Sequence, residues 1–119
     1  MATILVTDDS KFMRHMLKRI LEDSGHQVIA EAENGHEAIE LYSLLSPELV
    51  TMDITMPEVD GLQAVKEICL RDPKAKVIMI SSIGQQYMIL EALNYGARDY
   101  IVKPFDLDRI CDAVNRVLR

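Results

Sequence analysis

Five short segments rich in apolar and β-branched residues alternate along the chain with five segments in which apolar residues recur at helical spacing. Strands that alternate with helices of this length predict βαβ units and a parallel sheet. Because crossovers between parallel strands are right-handed, we expect the helices to cover both faces of the sheet. The predicted strands are Ile4–Thr7, Gln27–Ala32, Leu49–Asp53, Val77–Ser81 and Asp99–Val102.

The third predicted strand is an apolar run that ends in a carboxylate, Asp53, before turn signals at Pro57 and Gly61. A run of this kind, bounded by turn residues, is typical of a strand that is buried on both faces. The second predicted strand differs, because Glu31 and Glu33 alternate with alanines. That alternation indicates an edge strand.

Capping and breaking residues mark the ends of the helices. Ser10 suits the N-cap of the first helix and Gly25 its stop, and Asp106 suits the N-cap of the fifth. The other boundaries follow from residues of the same kinds: Gly35 opens the second helix, which ends before Pro47; Asp72-Pro73 closes the third; and the fourth runs from about Gln85 to Tyr95 and stops at Gly96.

Length and composition bound the class of protein. The chain has 119 residues, 49% of them hydrophobic, which fits a single domain with its own apolar core. The formal net charge is −6 without any basic run, which argues against a nucleic-acid surface.

No signal-peptide pattern is present and no apolar stretch approaches ~20 residues, so we expect a cytoplasmic protein that does not enter the membrane. Cys69 and Cys111 lack metal-site spacing and are expected to stay reduced.

Four positions of chemical interest lie where predicted strands end. Asp8-Asp9 follows the first strand, Asp53 ends the third, Ser81 ends the fourth and Lys103 follows the fifth. Because parallel strands share one direction, these side chains should meet at one edge of the sheet. Three crowded carboxylates repel one another, and oxygen-only ligands favour Mg²⁺. A lysine and a hydroxyl aimed at the same point suit a phosphoryl group.

Each of these features alone has an ordinary structural explanation. An Asp-Asp pair after a strand is commonly a solvated loop and helix cap, a Lys-Pro pair a surface turn, and a Ser-Ser pair a plain strand end. The functional hypothesis depends on all four occurring in order, each at the end of its own strand.

The chain resembles the receiver domains of two-component response regulators over its whole length, and within that family it closely resembles the stand-alone regulators of chemotaxis. The matching residues are Asp8-Asp9, the run from Met52-Asp53 to Pro57 with Asp60-Gly61, Ser81, Gly96-Ala97, Tyr100 and Lys103-Pro104-Phe105. The similarity to chemotaxis regulators depends on Phe12-Met13-Arg14 and Gly84-Gln85-Gln86.

The resemblance implies an α/β fold of the flavodoxin type: a doubly wound five-stranded parallel sheet, order 2-1-3-4-5, flanked by five helices. Residues 1–119 would form one receiver domain without an output domain. In that order the third and fifth helices cover opposite faces, so Cys69 and Cys111 could not pair. The Lys103-Pro104 bond is expected to be cis.

The resemblance also implies the roles of the site residues. Asp53 would accept the phosphoryl group, while Lys103 and the Ser81 hydroxyl would contact its oxygens. Asp9, Asp53 and the backbone carbonyl of Thr55 would hold Mg²⁺, with Asp8 acting through water. Ser81 and Tyr100 would form the switch.

The partners that the resemblance implies are a sensor histidine kinase, a phosphatase and a protein target, the flagellar motor switch, bound by the face of helix 4, strand 5 and helix 5. The chain would be a monomer and not an enzyme acting on external substrates. The alternatives are a phosphorelay intermediate or phosphate sink, a receiver excised from a larger regulator, and a Mg²⁺-dependent phosphohydrolase. Ile83 offers no polar atom to a hydrolytic water, so we expect slow self-dephosphorylation. The alternative that Ile83 simply packs is compatible with this expectation.

Overall fold

A computed structural model describes residues 1–56 and 59–119 of the chain, and Pro57, one of the predicted turn signals, lies outside the described residues. The predicted alternation of strands and helices is confirmed. The strands are β1 (Thr3–Thr7), β2 (Gln27–Ala32), β3 (Leu49–Asp53), β4 (Val77–Ser81) and β5 (Asp99–Val102). The helices are α1 (Lys11–Asp23), α2 (Gly35–Leu45), α3 (Gly61–Arg71), α4 (Gln86–Tyr95) and α5 (Leu107–Leu118).

The five strands form one parallel sheet in the order β2-β1-β3-β4-β5. All five residues of β3 are buried, as expected for a strand covered on both faces. β2 is an edge strand, and most of its residues are only partly buried, which confirms the expectation from its alternating glutamates. The four strands that carry or precede the predicted site residues, β1, β3, β4 and β5, are consecutive in this order. Their carboxyl ends therefore lie side by side.

Helices pack on both faces of the sheet and enclose two apolar cores. On one face, Val65 of α3 and Ala92 of α4 pack over Met79. On the other face, Leu17 of α1 and Val114 of α5 pack over Ile78. Neighbouring strand residues therefore supply opposite cores, as the two-residue period of a strand requires.

The two cysteines lie on helices of opposite faces, and both are free. Cys69 of α3 is buried in one of the two cores, and the Sγ of Cys111 lies 3.1 Å from the Ser24 hydroxyl at the end of α1. The expectation that Cys69 and Cys111 cannot pair is confirmed.

Four of the five helices begin at a side-chain cap. Ser10, Asn34, Asp60 and Asp106 each accept a hydrogen bond from the backbone N–H three residues on. These caps satisfy orphan N–H groups and fix where each helix leaves the carboxyl edge of the sheet. The fourth helix differs, because its N-cap residue, Gln85, makes no such bond. None of the helices in the described ranges is long and apolar enough to cross a membrane.

Candidate functional site

The strand order brings the predicted site residues together at the carboxyl edge of the sheet. Carboxylate oxygens of Asp8, Asp9 and Asp53 all lie within 4.8 Å of one another. The Lys103 Nζ lies 3.3 Å from Oδ1 of Asp53 and 3.5 Å from Oδ2 of Asp8. The peptide bond between Lys103 and Pro104 is cis, as the resemblance implied. Three acids and one base thus share one small region.

Asp53 is a buried carboxylate, with only 6% of the residue exposed. Burial and the negative charge of Asp8 raise the pKa of Asp53 from 3.8 to about 6, although the Lys103 ammonium acts in the opposite direction. The ionised side chain is therefore less stable in the folded chain than in water. A bound cation, or loss of the negative charge of the carboxylate, would remove this destabilisation.

The two acids after β1 have different environments. Asp8 is buried, and its Oδ1 accepts a hydrogen bond of 2.9 Å from the backbone N–H of Ser10. Burial raises the pKa of the Asp8 carboxyl, although that hydrogen bond and Lys103 lower it. Asp9 is exposed, and its carboxylate accepts no hydrogen bond within the described residues. Asp9 is thus the acid of this pair that is open to a ligand from solvent.

Arg14 supports the loop that carries Asp8, a role that the sequence patterns did not predict. Its guanidinium is buried, donates to the backbone carbonyl of Asp8 at 2.8 Å, and donates to Oε1 of Glu31 at 3.0 Å. The signal in the sequence was an arginine at an apolar position of the first helix, in line with Leu17 and Leu21, which are also buried. A charge on a buried stripe requires a partner, and here one partner is the backbone carbonyl of Asp8 at the site, while the other is Glu31 of β2.

Ser81 ends β4 beside the acidic cluster. The residue is fully buried, and its Oγ has no hydrogen-bond partner among the described residues. A buried hydroxyl without a partner is costly, so a group that accepts or donates a hydrogen bond at that position would be stabilised.

The β3–α3 and β4–α4 loops flank the site. Thr55 is exposed, and its hydroxyl accepts a hydrogen bond of 2.7 Å from Nε2 of Gln85. Ile83 is 79% exposed, so the alternative that it simply packs is wrong. Ile83 therefore presents an apolar side chain to solvent, at a position where a polar side chain could bind water.

Gly61 brings the start of α3 close to Asp53. A Cβ atom at Gly61 would lie 2.0 Å from the backbone oxygen of Asp53 and 2.8 Å from the Cα of Ile54. The Gly61 N–H donates to the carbonyl of Ile54 at 2.9 Å. Only glycine permits this approach, so the turn signal in the sequence corresponds to a packing requirement at the site.

Tyr100 lies on β5, two residues before the carboxyl end of that strand. It is the second of four strand residues and pairs with Met79, whereas Ser81 pairs with Val102. Tyr100 is 39% exposed, and with Val102 it lines a groove of about 400 Å³ beside α4. Because residues two apart in a strand share a face, Val102 lies between Ser81 and Tyr100 on the route to this groove.

Comparisons with known proteins agree with this geometry. Residues 4–115 match the response regulator receiver domain family. The chain is 55% identical to the chemotaxis protein CheY of Bacillus subtilis, with 97% of this chain and 96% of the relative covered. It is 50% identical to the chemotaxis protein CheY of Listeria monocytogenes over the full length of both chains.

A solved structure with a similar fold is the CheX-CheY-BeF3-Mg complex from Borrelia burgdorferi. The two chains superpose with a TM-score of 0.94 at 35% sequence identity, covering 98% of this chain and 89% of that chain. Together with the parallel sheet in the order 2-1-3-4-5 and its acidic carboxyl edge, these matches show that the chain belongs to the receiver domain family of response regulators and is of the chemotaxis CheY type.

Proposed function

We propose that this chain is a single-domain response regulator of a two-component phosphorelay, in which Asp53 accepts a phosphoryl group from a sensor histidine kinase. The observation that carries the proposal is the position of Asp53. It lies against Asp8, Asp9 and Lys103, beside the unpartnered Ser81 hydroxyl, in a chain of the receiver family.

The Asp53 carboxylate has the properties of a phosphoryl acceptor. Above about pH 6 it is mainly ionised, and its raised pKa makes it a better nucleophile than an ordinary aspartate. One Oδ atom forms a bond to the phosphorus of a phosphohistidine as the P–N bond breaks. The histidine nitrogen keeps the electron pair of that bond and takes a proton, which leaves an acyl phosphate on Asp53.

The acidic cluster fits Mg²⁺. Three carboxylates that supply oxygen ligands within 4.8 Å of one another suit a small hard cation. We infer that Asp9, Asp53 and the backbone carbonyl of Thr55 would hold the ion and that Asp8 would act through water. When bound, Mg²⁺ would offset the negative charge of the transferring phosphoryl group.

Lys103 and Ser81 would stabilise the product. The Lys103 ammonium, 3.3 Å from Oδ1 of Asp53, would pair with a phosphoryl oxygen as a point charge. The buried Ser81 hydroxyl, which has no other described partner, would donate a hydrogen bond to another oxygen. Both interactions with phosphoryl oxygens exist only in the phosphorylated chain. Phosphorylation would therefore favour the conformations in which Lys103 and Ser81 can make them.

We infer that the change at Ser81 reaches the surface through Val102 and Tyr100. The groove beside Tyr100 is lined by apolar residues of α4, Ile89, Leu90 and Leu93. Movement of Ser81 toward the phosphoryl group would change the packing of Val102, its partner in the sheet, and so the orientation of the Tyr100 ring. Phosphorylation would thereby shift the population of states that bind a protein target on the α4–β5–α5 face.

The chemotaxis relatives support a particular target and location. We propose that the phosphorylated chain acts in the cytoplasm and binds the flagellar motor switch. The presence of CheX in the complex from Borrelia burgdorferi suggests a phosphatase as a further partner. A phosphoryl group passed on to a histidine phosphotransfer protein, with no gain in motor binding, would instead identify a relay or sink.

The experiment compares binding of flagellar switch proteins to the chain before and after phosphorylation by a small phosphodonor with Mg²⁺. We expect phosphorylation to strengthen binding in the wild type, and Tyr100→Ala to lose that gain while Asp53 is still labelled. Tyr95→Ala is the matched control, because Tyr95 is equally half-exposed but contacts Lys66 of α3. Unchanged phosphorylation-dependent binding in Tyr100→Ala would contradict the switch role.

A further inference from the structure

The Gln85 side chain bridges the two loops that flank the acidic cluster. Its Oε1 accepts a hydrogen bond of 2.6 Å from the backbone N–H of Ser82, in the β4–α4 loop. Its Nε2 donates to Oγ1 of Thr55, two residues after Asp53, at 2.7 Å. One carboxamide thus holds the residue after Ser81 and the residue after Ile54 in a fixed relation.

The backbone N–H of Ser82 points toward the strand that carries Asp53. The carbonyl of Ile80 accepts a bond from Ile54 on the β3 side, and the carbonyl of Ser81 accepts a bond from Lys103 on the β5 side. Because successive residues of a strand turn their backbone groups to opposite neighbours, the Ser82 N–H turns back to the β3 side. The Ser82 N–H is thus a hydrogen-bond donor directed toward the side of the site where Asp53 lies, and it donates to the Gln85 carboxamide.

Gln85 is also the N-cap residue of α4, yet its side chain does not cap the helix. The other four helices begin with a side chain bonded to their own backbone, whereas the carboxamide of Gln85 reaches back to the site. Gly84, with φ of +96°, provides the left-handed turn that allows this direction. Gln85 therefore connects the first turn of α4 directly to the surroundings of Asp53.

We propose that Gln85 is a positioning residue of the phosphorylation site that favours the unphosphorylated state, because its carboxamide competes with the phosphoryl group for the Ser82 N–H. The proposal rests on the proposed function of Asp53. A phosphoryl group carries almost two negative charges and needs several donors. When it takes the Ser82 N–H, the Gln85 side chain is released, and the start of α4 loses its connection to Thr55.

Two substitutions of Gln85 should act in opposite directions. Gln85→Ala removes the competitor and leaves the Ser82 N–H free for the phosphoryl group. Gln85→Glu retains an acceptor, makes its hydrogen bond charge-assisted, and adds a negative charge that repels the phosphoryl group. A residue that merely stabilised the loop would not place the two variants on opposite sides of the wild type.

The experiment measures the affinity of the full chain for beryllofluoride in the presence of Mg²⁺, by ¹⁹F NMR titration, with beryllofluoride standing in for the phosphoryl group. We expect Gln85→Ala to bind about three- to tenfold more tightly than the wild type, and Gln85→Glu to bind more weakly by a similar factor, as the net effect of one or two hydrogen bonds requires. Gln86→Ala is the matched control, since Gln86 is exposed and makes no side-chain hydrogen bond within the described residues.

The outcomes separate the two proposals. If the wild type binds beryllofluoride and the variants follow the expected order, the competition is supported. If the wild type binds and both variants equal it or shift in the same direction, the role of Gln85 is refuted while the function of Asp53 stands. If the wild type does not bind beryllofluoride with Mg²⁺, the proposed function itself is refuted, and the role of Gln85 with it.

Discussion

Replacing Asp53 by asparagine should stabilise the fold in the absence of metal. The ionised carboxylate is buried beside Asp8, and this environment raises its pKa from 3.8 to about 6. At about 1.36 kcal/mol per pKa unit, ionised Asp53 costs the folded chain about 3 kcal/mol. Asparagine has nearly the same shape and no charge, so we expect Asp53→Asn to gain about 2–3 kcal/mol of unfolding free energy at pH 7.5.

The pH dependence gives the sign of this effect a separate test. The folded chain binds a proton at Asp53 up to about pH 6, whereas the unfolded chain loses it near pH 3.8. The contribution of Asp53 to the unfolding free energy of the wild type therefore falls as the pH rises from about 4 to 6. Above about pH 6 the full loss is present. The advantage of Asp53→Asn should be close to zero near pH 4 and reach its full size above pH 7.

The assay is urea denaturation of both proteins in EDTA at pH 4, 5, 6 and 7.5, with far-UV circular dichroism as the readout. Asp112→Asn is the control, because Asp112 is exposed on α5 and should change stability by less than about 0.5 kcal/mol. A loss of stability in Asp53→Asn at pH 7.5, or a gain of the same size at every pH, would refute the reasoning.

Three further predictions concern the same edge of the sheet. Asp9→Ala should weaken Mg²⁺ binding more than Asp8→Ala in titration calorimetry, because Asp9 is open to solvent while Asp8 bonds Ser10; the reverse order would contradict the ligand roles. Gly61→Ala should lower the unfolding free energy by at least about 2 kcal/mol in urea denaturation, since its Cβ would clash with a backbone oxygen, and an unchanged midpoint would contradict this. Ile83→Gln should accelerate loss of the phosphoryl group from labelled protein, because an exposed carboxamide can orient water where isoleucine cannot; an unchanged rate would count against it.

The ends of the elements could be predicted from the sequence because local chemistry determines them. Ser10 and Asp106 cap the first and fifth helices as expected, since a short polar side chain can bond the nearby backbone whatever the rest of the fold does. The order of the strands could not be predicted in this way. It depends on which distant segments pair, and only the resemblance to receiver domains supplied it.

The gathering of the site residues was predictable for a related reason. Parallel strands share one direction, so residues at or just after the carboxyl ends of β1, β3, β4 and β5 must reach the same edge, and the structure brings the three acids and Lys103 together there. The contacts of Arg14 and Gln85 with the site were not predicted, because they depend on where long side chains turn in three dimensions. The pairing of Ser81 with Val102 and of Met79 with Tyr100 could not be predicted, because it depends on the register between β4 and β5.

The central claim, that Asp53 accepts a phosphoryl group, is tested most directly by intact-mass spectrometry after incubation with a small phosphodonor and Mg²⁺. The account predicts a mass increase of one phosphoryl group in the wild type that disappears when EDTA is added beforehand. It also predicts no stable increase in Asp53→Asn, because the amide cannot act as the nucleophile. Labelling of Asp53→Asn at the wild-type level would contradict the account.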